Sequence, residues 1–254
     1  MSDELQTERQ DGVLILTMNR PKARNALNAA LAHAIADAVD ELEVDKAISV
    51  GILTGTGGTF CSGMDLKAFL AGETPLVGKR GLAGITVTPP SKPMIAAVEG
   101  YALAGGCELA LACDLIVASR EAKFGLPETK RSLVAGAGGL FRLPQRIPMA
   151  IAMEYALTGA HFSAGQAHAW GMVNRLTEPG DALAGALELA REIAANGPLA
   201  VRATKQIVAD GQHWPVAERW KRQEALLRPV FGSADAKEGA LAFAEKRAPV
   251  WKGE

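Results

Sequence analysis

The sequence has few of the features that mark nucleic-acid-binding, membrane or secreted proteins. Its 27 Lys and Arg residues nearly balance 28 Asp and Glu residues, and the net charge of −1 offers no footprint for nucleic acid or an anionic membrane. No apolar run approaches the roughly 20 residues of a membrane span, because Glu108 and Asp114 interrupt the best candidate. Residues 1–12 are polar and acidic, unlike a signal peptide. We therefore expect a cytoplasmic protein.

Signals for metal ions and disulfides are also lacking. The cysteines are odd in number and lie in apolar or glycine-rich contexts, and neither they nor the histidines have the spacing of metal ligands. These residues are Cys61, Cys107, Cys113, His33, His161, His168 and His213. We expect reduced thiols and no metal site.

The chain contains a regular alternation of strand-like and helix-like segments. It has 254 residues, 48% of them apolar, enough for one domain or one domain with a helical appendage. Apolar runs typical of buried strands occupy residues 12–19, 49–55, 93–100 and 114–119, and Asn28 is positioned to cap a helix between the first two. The pattern predicts crossover units with parallel strands.

The chain after Pro148 changes to successive helices. Ser163 and Gln166 form a possible capping box, and Asp181 is expected to cap the long helix that follows it. Residues 71–90, with several glycines and prolines, fit a mobile lid or binding loop and equally a disordered surface loop.

Two glycine turns could present bare backbone N–H groups to a ligand. In FCSGMDL, residues 60–66, Gly63 permits a tight approach and exposes the amide of Met64. In residues 97–114, Gly105 precedes a helix, so its amide would lie at the positive end of the helix dipole. Such donors stabilise an enolate formed from a thioester carbonyl, although a single glycine turn is more often only a turn.

Two glutamates lie close to these turns in the sequence. Glu108 stands in the first turn of the predicted helix, and Glu128 follows in FGLPE, just before the glycine-rich AGAGG of residues 135–139. Taken singly, each is more often a dipole or cap residue. As a pair beside an oxyanion site, one acid can take a proton from water while the other gives one, as water addition to a polarised double bond requires.

Several segments together carry a resemblance to a known family. The sequence resembles the crotonase superfamily, and enoyl-CoA hydratases in particular, over nearly its whole length. The matching segments are NRPKARNALN (19–28), FCSGMDLK (60–67), GYALAGGCELALACD (100–114), FGLPE (124–128) with AGAGG, and FAEKRAP (243–249).

The resemblance implies an α/β fold, a crotonase-like spiral of ββα repeats. The spiral core would span residues 1–190 and a C-terminal helical trimerisation region residues 191–254, with trimers that pair into hexamers. The partner would be an acyl-CoA thioester substrate, with coenzyme A as part of that substrate and no separate cofactor.

The resemblance also assigns site residues. The amides of Met64 and Gly105 match the oxyanion donors, Glu108 and Glu128 match the two glutamates that position and activate water, and Gly136 matches a backbone position near that water. The residues that match the family's coenzyme A contacts are Lys22, Ala23, Arg24, Asp65, Leu66, Lys67, Phe243 and Lys246, the last two often acting across a subunit boundary.

These features predict an enoyl-CoA hydratase that converts a trans-2-enoyl-CoA to a 3-hydroxyacyl-CoA, reversibly, in fatty-acid or related acyl-CoA metabolism. Leu126 and LFRL at residues 140–143 depart from the common pattern and leave acyl specificity open. The alternatives are an enoyl-CoA isomerase, a carnitinyl-CoA-type dehydratase, and a non-catalytic acyl-CoA-binding protein. The presence of both acids argues against the isomerase and the binding protein.

Overall fold

The computed structural model describes residues 3–254 of the protein. Its strands are β1 (Leu5–Gln10), β2 (Val13–Met18), β3 (Val50–Gly55), β4 (Met94–Val98), β5 (Tyr101–Leu103), β6 (Leu115–Ser119), β7 (Lys123–Gly125), β8 (Phe162–Ser163) and β9 (Arg175–Thr177). Its helices are α1 (Ala29–Val44), α2 (Leu66–Leu70), α3 (Gly105–Ala112), α4 (Gly139–Arg146), α5 (Met149–Thr158), α6 (Ala164–Ala169), α7 (Ala182–Ala194), α8 (Pro198–Asp210), α9 (Arg219–Phe231) and α10 (Ala234–Glu245).

The strands form two sheets. The larger has the order β1-β2-β3-β4-β6-β9, in which β1 is antiparallel to β2 and the other neighbours are parallel. The smaller has the order β5-β7-β8. The four predicted strands are β2, β3, β4 and β6, and their parallel pairing confirms the expected crossovers. Burial on both faces explains their nearly continuous apolar sequences.

Each face of the larger sheet packs against a helix. Side chains alternate along a strand, so Leu14 and Leu16 join the core beneath α1 while Val13 and Ile15 join the core beneath α7. At Gly185 of α7 an added Cβ would lie 2.7 Å from Thr177 Cγ2, a contact that only glycine avoids at this helix–sheet distance.

The C-terminal helices are much less buried than this core. Neither α8 nor α9 has a buried residue, and α10 has only Asp235 and Ala242. The expected boundary between residues 190 and 191 falls inside α7, so the division into 1–190, which includes residues 1 and 2 outside the described part, and 191–254 stays a prediction.

The predicted helix caps have mixed outcomes. Asn28 accepts a hydrogen bond from Leu31 N, and Ser163 and Gln166 form the expected capping box. Asp181 occupies the N-cap position of α7, but its side chain makes no cap bond. Glu99, which follows β4, accepts from Ala182 N instead, so a carboxylate distant in sequence took the expected role.

Residues 71–90 are folded against the core, and several of their side chains are buried. Leu82 and Ile85 belong to the main core, and an added Cβ at Gly84 would lie 2.6 Å from Ala36 Cβ of α1. Arg80 accepts a hydrogen bond on its carbonyl from Val87 N and donates from its side chain to Asp40. The expectation of a disordered surface loop is therefore wrong.

Among residues 3–254, no helix is long and apolar enough to cross a membrane.

Candidate active site

The amide of Met64, predicted to be the first oxyanion donor, lies in a turn that requires glycine. Gly63 has φ +102°, and an added Cβ would lie 2.8 Å from Ala104 Cβ and 3.3 Å from Gly105 N. The amide of Gly63 donates to Cys61 Sγ at 3.4 Å. The turn therefore brings Met64 close against the residue that begins α3.

The second donor is placed by a strained residue. Ala104 precedes α3 with φ 51° and ψ −127°, a conformation rare for any residue with a Cβ. A Cβ at Gly105 would lie 3.7 Å from Met64 N, so the two predicted donors adjoin. Within residues 3–254 we find no hydrogen bond from either N–H. Both are free to bind one oxygen at the positive end of α3.

Glu108 lies inside the protein in the first turn of α3. It is 3% exposed, and its Oε1 accepts hydrogen bonds from Ala137 N at 2.7 Å and Gly139 N at 2.9 Å. Two amides on one carboxylate oxygen hold the side chain in one orientation and favour its ionised form.

The glycine-rich loop, residues 135–139, is pressed against that carboxylate. A Cβ at Gly139 would lie 2.9 Å from Glu108 Cγ and 3.0 Å from Leu126 Cδ1, so a larger residue would force its surroundings to shift. Gly136 is exposed, and an added Cβ would meet only Val134 O, at 3.9 Å. The loop amides that reach Glu108 are those of Ala137 and Gly139, which sequence reasoning missed. The only signal for them was the glycine content of the loop.

Glu128 stands in the short 3-10 helix Pro127–Arg131 and is half-buried. Its Oε2 is buried and has no hydrogen-bond partner among residues 3–254. A carboxyl oxygen in this state is poorly stabilised when charged, so Glu128 differs sharply from Glu108.

The small sheet explains how two acids twenty positions apart in sequence meet. β5 and β7 run parallel, with Leu103 opposite Gly125, and Ala104 N donates to Gly125 O at 2.9 Å. Both strands end at the same edge, where β5 leads to Glu108 and β7 leads to Glu128. The structure thus brings the predicted acids into one site.

The environment raises the pKa of both acids. Burial raises the pKa of Glu108, against the amides of Gly139 and Ala137 and the charge of Arg142, which lower it. Burial, with the charge of Glu108 added to it, raises the pKa of Glu128 to about 7. The negative charge of Glu108 disfavours a second charge on Glu128, so Glu128 can gain or lose a proton near neutral pH.

The two segments expected to contact coenzyme A, residues 22–24 and 65–67, adjoin the glycine turn of residues 60–66. Ser62 N donates to the carbonyl of Arg24 at 3.1 Å, which ties residues 22–24 to residues 60–66. Lys22, Arg24 and Lys67 are exposed. Asp65 is the N-cap residue of α2, which begins with Leu66 and Lys67. Its carboxylate accepts hydrogen bonds from Lys67 N and Ala68 N and pairs with Arg20.

The two C-terminal residues expected near coenzyme A belong to the C-terminal helical region. Phe243 is 88% exposed on α10 and Lys246 follows that helix. Within residues 3–254, no hydrogen bond or ion pair joins either one to the site segments. A cleft of about 560 Å³, between the C-terminal tail and the start of β3, likewise contains none of the predicted site residues.

All three cysteines are buried and unpaired, and no group of three or more potential ligands among residues 3–254 could hold a metal ion.

Comparison with known proteins identifies the family. Residues 8–254 match the family described as Enoyl-CoA hydratase/isomerase. The chain belongs to this family. It is 44% identical over 261 residues to a carnitinyl-CoA dehydratase of Salmonella typhi, with both chains fully covered.

Solved structures agree with the assignment to the enoyl-CoA hydratase/isomerase family. An enoyl-CoA hydratase from Mycobacterium marinum is 61% identical with a TM-score of 0.98, and a carnitinyl-CoA hydratase from Mycobacterium avium is 43% identical with a TM-score of 0.79. Both chains are fully covered in each comparison. The predicted superfamily and crotonase-like fold are thereby confirmed.

Proposed function

We propose that this protein is an enoyl-CoA hydratase that adds water to a trans-2-enoyl-CoA to give a 3-hydroxyacyl-CoA. The observation that carries the proposal is the coupled pair of Glu108 and Glu128 beside the two unused amides of Met64 and Gly105. The family and its hydratase and dehydratase relatives support a lyase activity.

The reaction needs one base, one acid and one oxyanion site. The thioester oxygen accepts hydrogen bonds from Met64 N–H and Gly105 N–H. Water adds to C3 as Glu108 takes its proton, and the electron pair of the C2–C3 double bond moves into an enolate on that oxygen. Glu128 then protonates C2 and the carbonyl is restored.

The environments of the two acids support these proposed roles. Glu108 keeps its negative charge more readily because two amides bind its Oε1. Glu128 has a pKa of about 7 and a buried oxygen without a partner, so it holds the proton. Burial raises the pKa of both side chains, and the difference in their hydrogen-bond partners supports Glu108 as base and Glu128 as acid.

Coenzyme A is part of the substrate, and the proposal includes no other cofactor. Lys22, Arg24 and Lys67 offer cations to its phosphates, with Ala23, Asp65 and Leu66 beside them and Gly136 at the rim of the glycine-rich loop. We expect Phe243 and Lys246 to serve the nucleotide end of a neighbouring subunit's ligand, since Phe243 is exposed and no hydrogen bond or ion pair within residues 3–254 joins either residue to the site of its own chain.

We expect a homotrimer that pairs into a homohexamer. Trp220 and Phe231 of α9 are 80% and 75% exposed, and Phe243 of α10 is more so. Large apolar side chains gathered on one helical region favour burial against another copy. Light scattering after size-exclusion chromatography measures the mass, and a monomer would contradict this expectation.

A turnover screen tests the reaction itself. We place the enzyme in the cytoplasm and in fatty-acid or related metabolism, so the screen covers trans-2-enoyl-CoA thioesters from short to long and branched. Carnitinyl-CoA is the second substrate to test, because of the 44% identity to a carnitinyl-CoA dehydratase. A trans-3-enoyl-CoA tests for isomerisation. Acyl-CoA binding without turnover of any of these would favour a binding protein.

A further inference from the structure

Arg142 on α4 connects two segments beside the candidate site, the glycine-rich loop 135–139 and residues 82–86. Its Nη1 donates to the carbonyl of Ala137 at 3.2 Å, and its Nη2 donates to the carbonyl of Thr86. The guanidinium is half-buried and lies over the ring of Phe141, 5.4 Å from the centroid. A buried guanidinium with two carbonyl acceptors is held in one place and therefore holds both acceptors in place.

The first segment is the glycine-rich loop, which orients Glu108. Ala137 accepts from Arg142 with its carbonyl and donates to Glu108 Oε1 with its own amide. Any displacement of this residue moves the amide that orients the carboxylate. The contact with Arg142 therefore acts on Glu108 through a single intervening residue.

The second segment, residues 82–86, packs on Gly105. Thr86, whose carbonyl binds Arg142, accepts from Leu82 N with its Oγ1 at 2.8 Å. Leu82 Cδ2 would lie 3.2 Å from a Cβ at Gly105, so this side chain packs on the residue that supplies the second oxyanion amide. Arg142 thus links the residue that orients Glu108 to the segment that packs on Gly105.

We propose that Arg142 is a positioning residue for water addition, holding the Glu108 carboxylate and the oxyanion amides in register through Ala137 and Thr86. The proposal rests on the proposed hydratase function. It does not require Arg142 to touch the substrate.

Few other groups compete with Arg142 in setting the charge of Glu108. Glu128 faces it from the 3-10 helix, and Arg146 faces Arg142 from the next turn of α4. The thiols of Cys107 and Cys113 are close, but burial raises the pKa of both, that of Cys113 to about 12, so they stay neutral. Loss of the Arg142 charge would therefore raise the pKa of Glu108.

The test compares Arg142→Gln and Arg142→Lys with Arg175→Gln. Arg175 is the matched control, because it also donates two hydrogen bonds, but to Glu192 at the surface. We expect Arg142→Gln to lower kcat for hydration about 100-fold with KM changed less than about threefold. The acidic limb of the pH–rate profile, where activity falls at low pH, should move to higher pH in Arg142→Gln. Arg142→Lys should restore the limb and only part of kcat, since one ammonium replaces a two-armed group.

A second measurement needs no turnover. Hydrogen exchange followed by mass spectrometry should reveal faster exchange of residues 134–141 in Arg142→Gln and unchanged exchange in Arg175→Gln, with both variants shown to be folded by circular dichroism. Unchanged exchange, or a wild-type kcat and pH profile in Arg142→Gln, would overturn the positioning role. Faster exchange in that variant, with no hydration by the wild-type enzyme, would instead overturn the proposed function alone.

Discussion

The two glutamates of the site stand in regions built very differently. Glu108 belongs to α3, in which every residue is buried, and two amides bind one of its oxygens. Glu128 belongs to the 3-10 helix Pro127–Arg131, in which only Pro127 is buried, and one of its oxygens is buried without a partner within residues 3–254. One acid is held by the scaffold and the other is held by little besides its backbone.

This difference indicates that two identical glutamate side chains can have different chemical roles because their environments differ. A carboxylate with two donors stays ionised and oriented, which suits a base. A carboxyl group with a pKa of about 7 can both hold and release a proton near neutral pH, which suits an acid. The predictions below test this contrast.

The largest effect should come from Glu108→Gln. The amide oxygen of Gln can still accept from Ala137 N and Gly139 N, so the fold should persist, but the side chain cannot take a proton from water. We expect hydration of crotonyl-CoA to fall by roughly 10³-fold or more, measured as loss of the enoyl thioester absorbance. Calorimetry should give an almost unchanged affinity for coenzyme A. Near-normal turnover would remove Glu108 from the mechanism.

Glu128 should set the basic limb of the pH profile. The site needs one proton on the pair, so kcat/KM should fall above about pH 7 as Glu128 ionises. Water addition releases no net proton, so hydration and dehydration should have the same limb. Glu128→Gln should lower hydration by about 10²- to 10³-fold and abolish this limb. A limb that persists in the variant would assign it to another group.

A smaller effect is expected where only the support of Glu108 changes. Gly139→Ala places a methyl group 2.9 Å from Glu108 Cγ, so the loop must shift. We expect kcat to fall about 10- to 100-fold with little change in KM. Gly165→Ala is the matched control, since its new Cβ would meet nothing closer than 3.8 Å. Equal kcat values for the two variants would contradict the importance of the loop position.

The smallest effect concerns stability. The folded-state pKa of Glu128 is raised to about 7, so its contribution to stability is present below the unfolded value near 4.5 and is lost as pH rises through 7. Glu128→Gln should therefore be more stable than wild type at pH 8, by on the order of 1 kcal/mol after allowance for solvent screening. At pH 4.5 the difference should be small. Urea unfolding at one protein concentration measures both; equal pH dependence in the two proteins would disprove this account.

Much of the fold was predictable because local sequence carried the signal. The strands β2, β3, β4 and β6 are buried runs of branched residues, and Asn28 and Ser163 cap helices as their positions indicated. The strand β1 was missed, since only Leu5 of its six residues is buried and the rest face solvent at the sheet edge. The apolar pattern on which strand prediction depends is absent from such an edge strand.

The site was predictable only in part. Glycines beside acids pointed to Met64, Gly105, Glu108 and Glu128, and resemblance to a family raised this above chance. Arg142 could not have been selected, because its two acceptors lie at different distances along the chain and both are backbone carbonyls. No side-chain pattern records which carbonyl an arginine will reach.

By itself, the sequence determined the strands β2, β3, β4 and β6 and the helices capped by Asn28 and Ser163. It also indicated which residues could bind an oxyanion or carry a proton, since these depend on residue type and short-range spacing. Only the tertiary structure decided that β5 and β7 pair and that their ends bring Glu108 and Glu128 together. It also decided that one oxygen of Glu108 receives two loop amides, while one oxygen of Glu128 has no partner within residues 3–254. The reason is that a pKa depends on burial and on neighbours in space, and only folding brings these neighbours together.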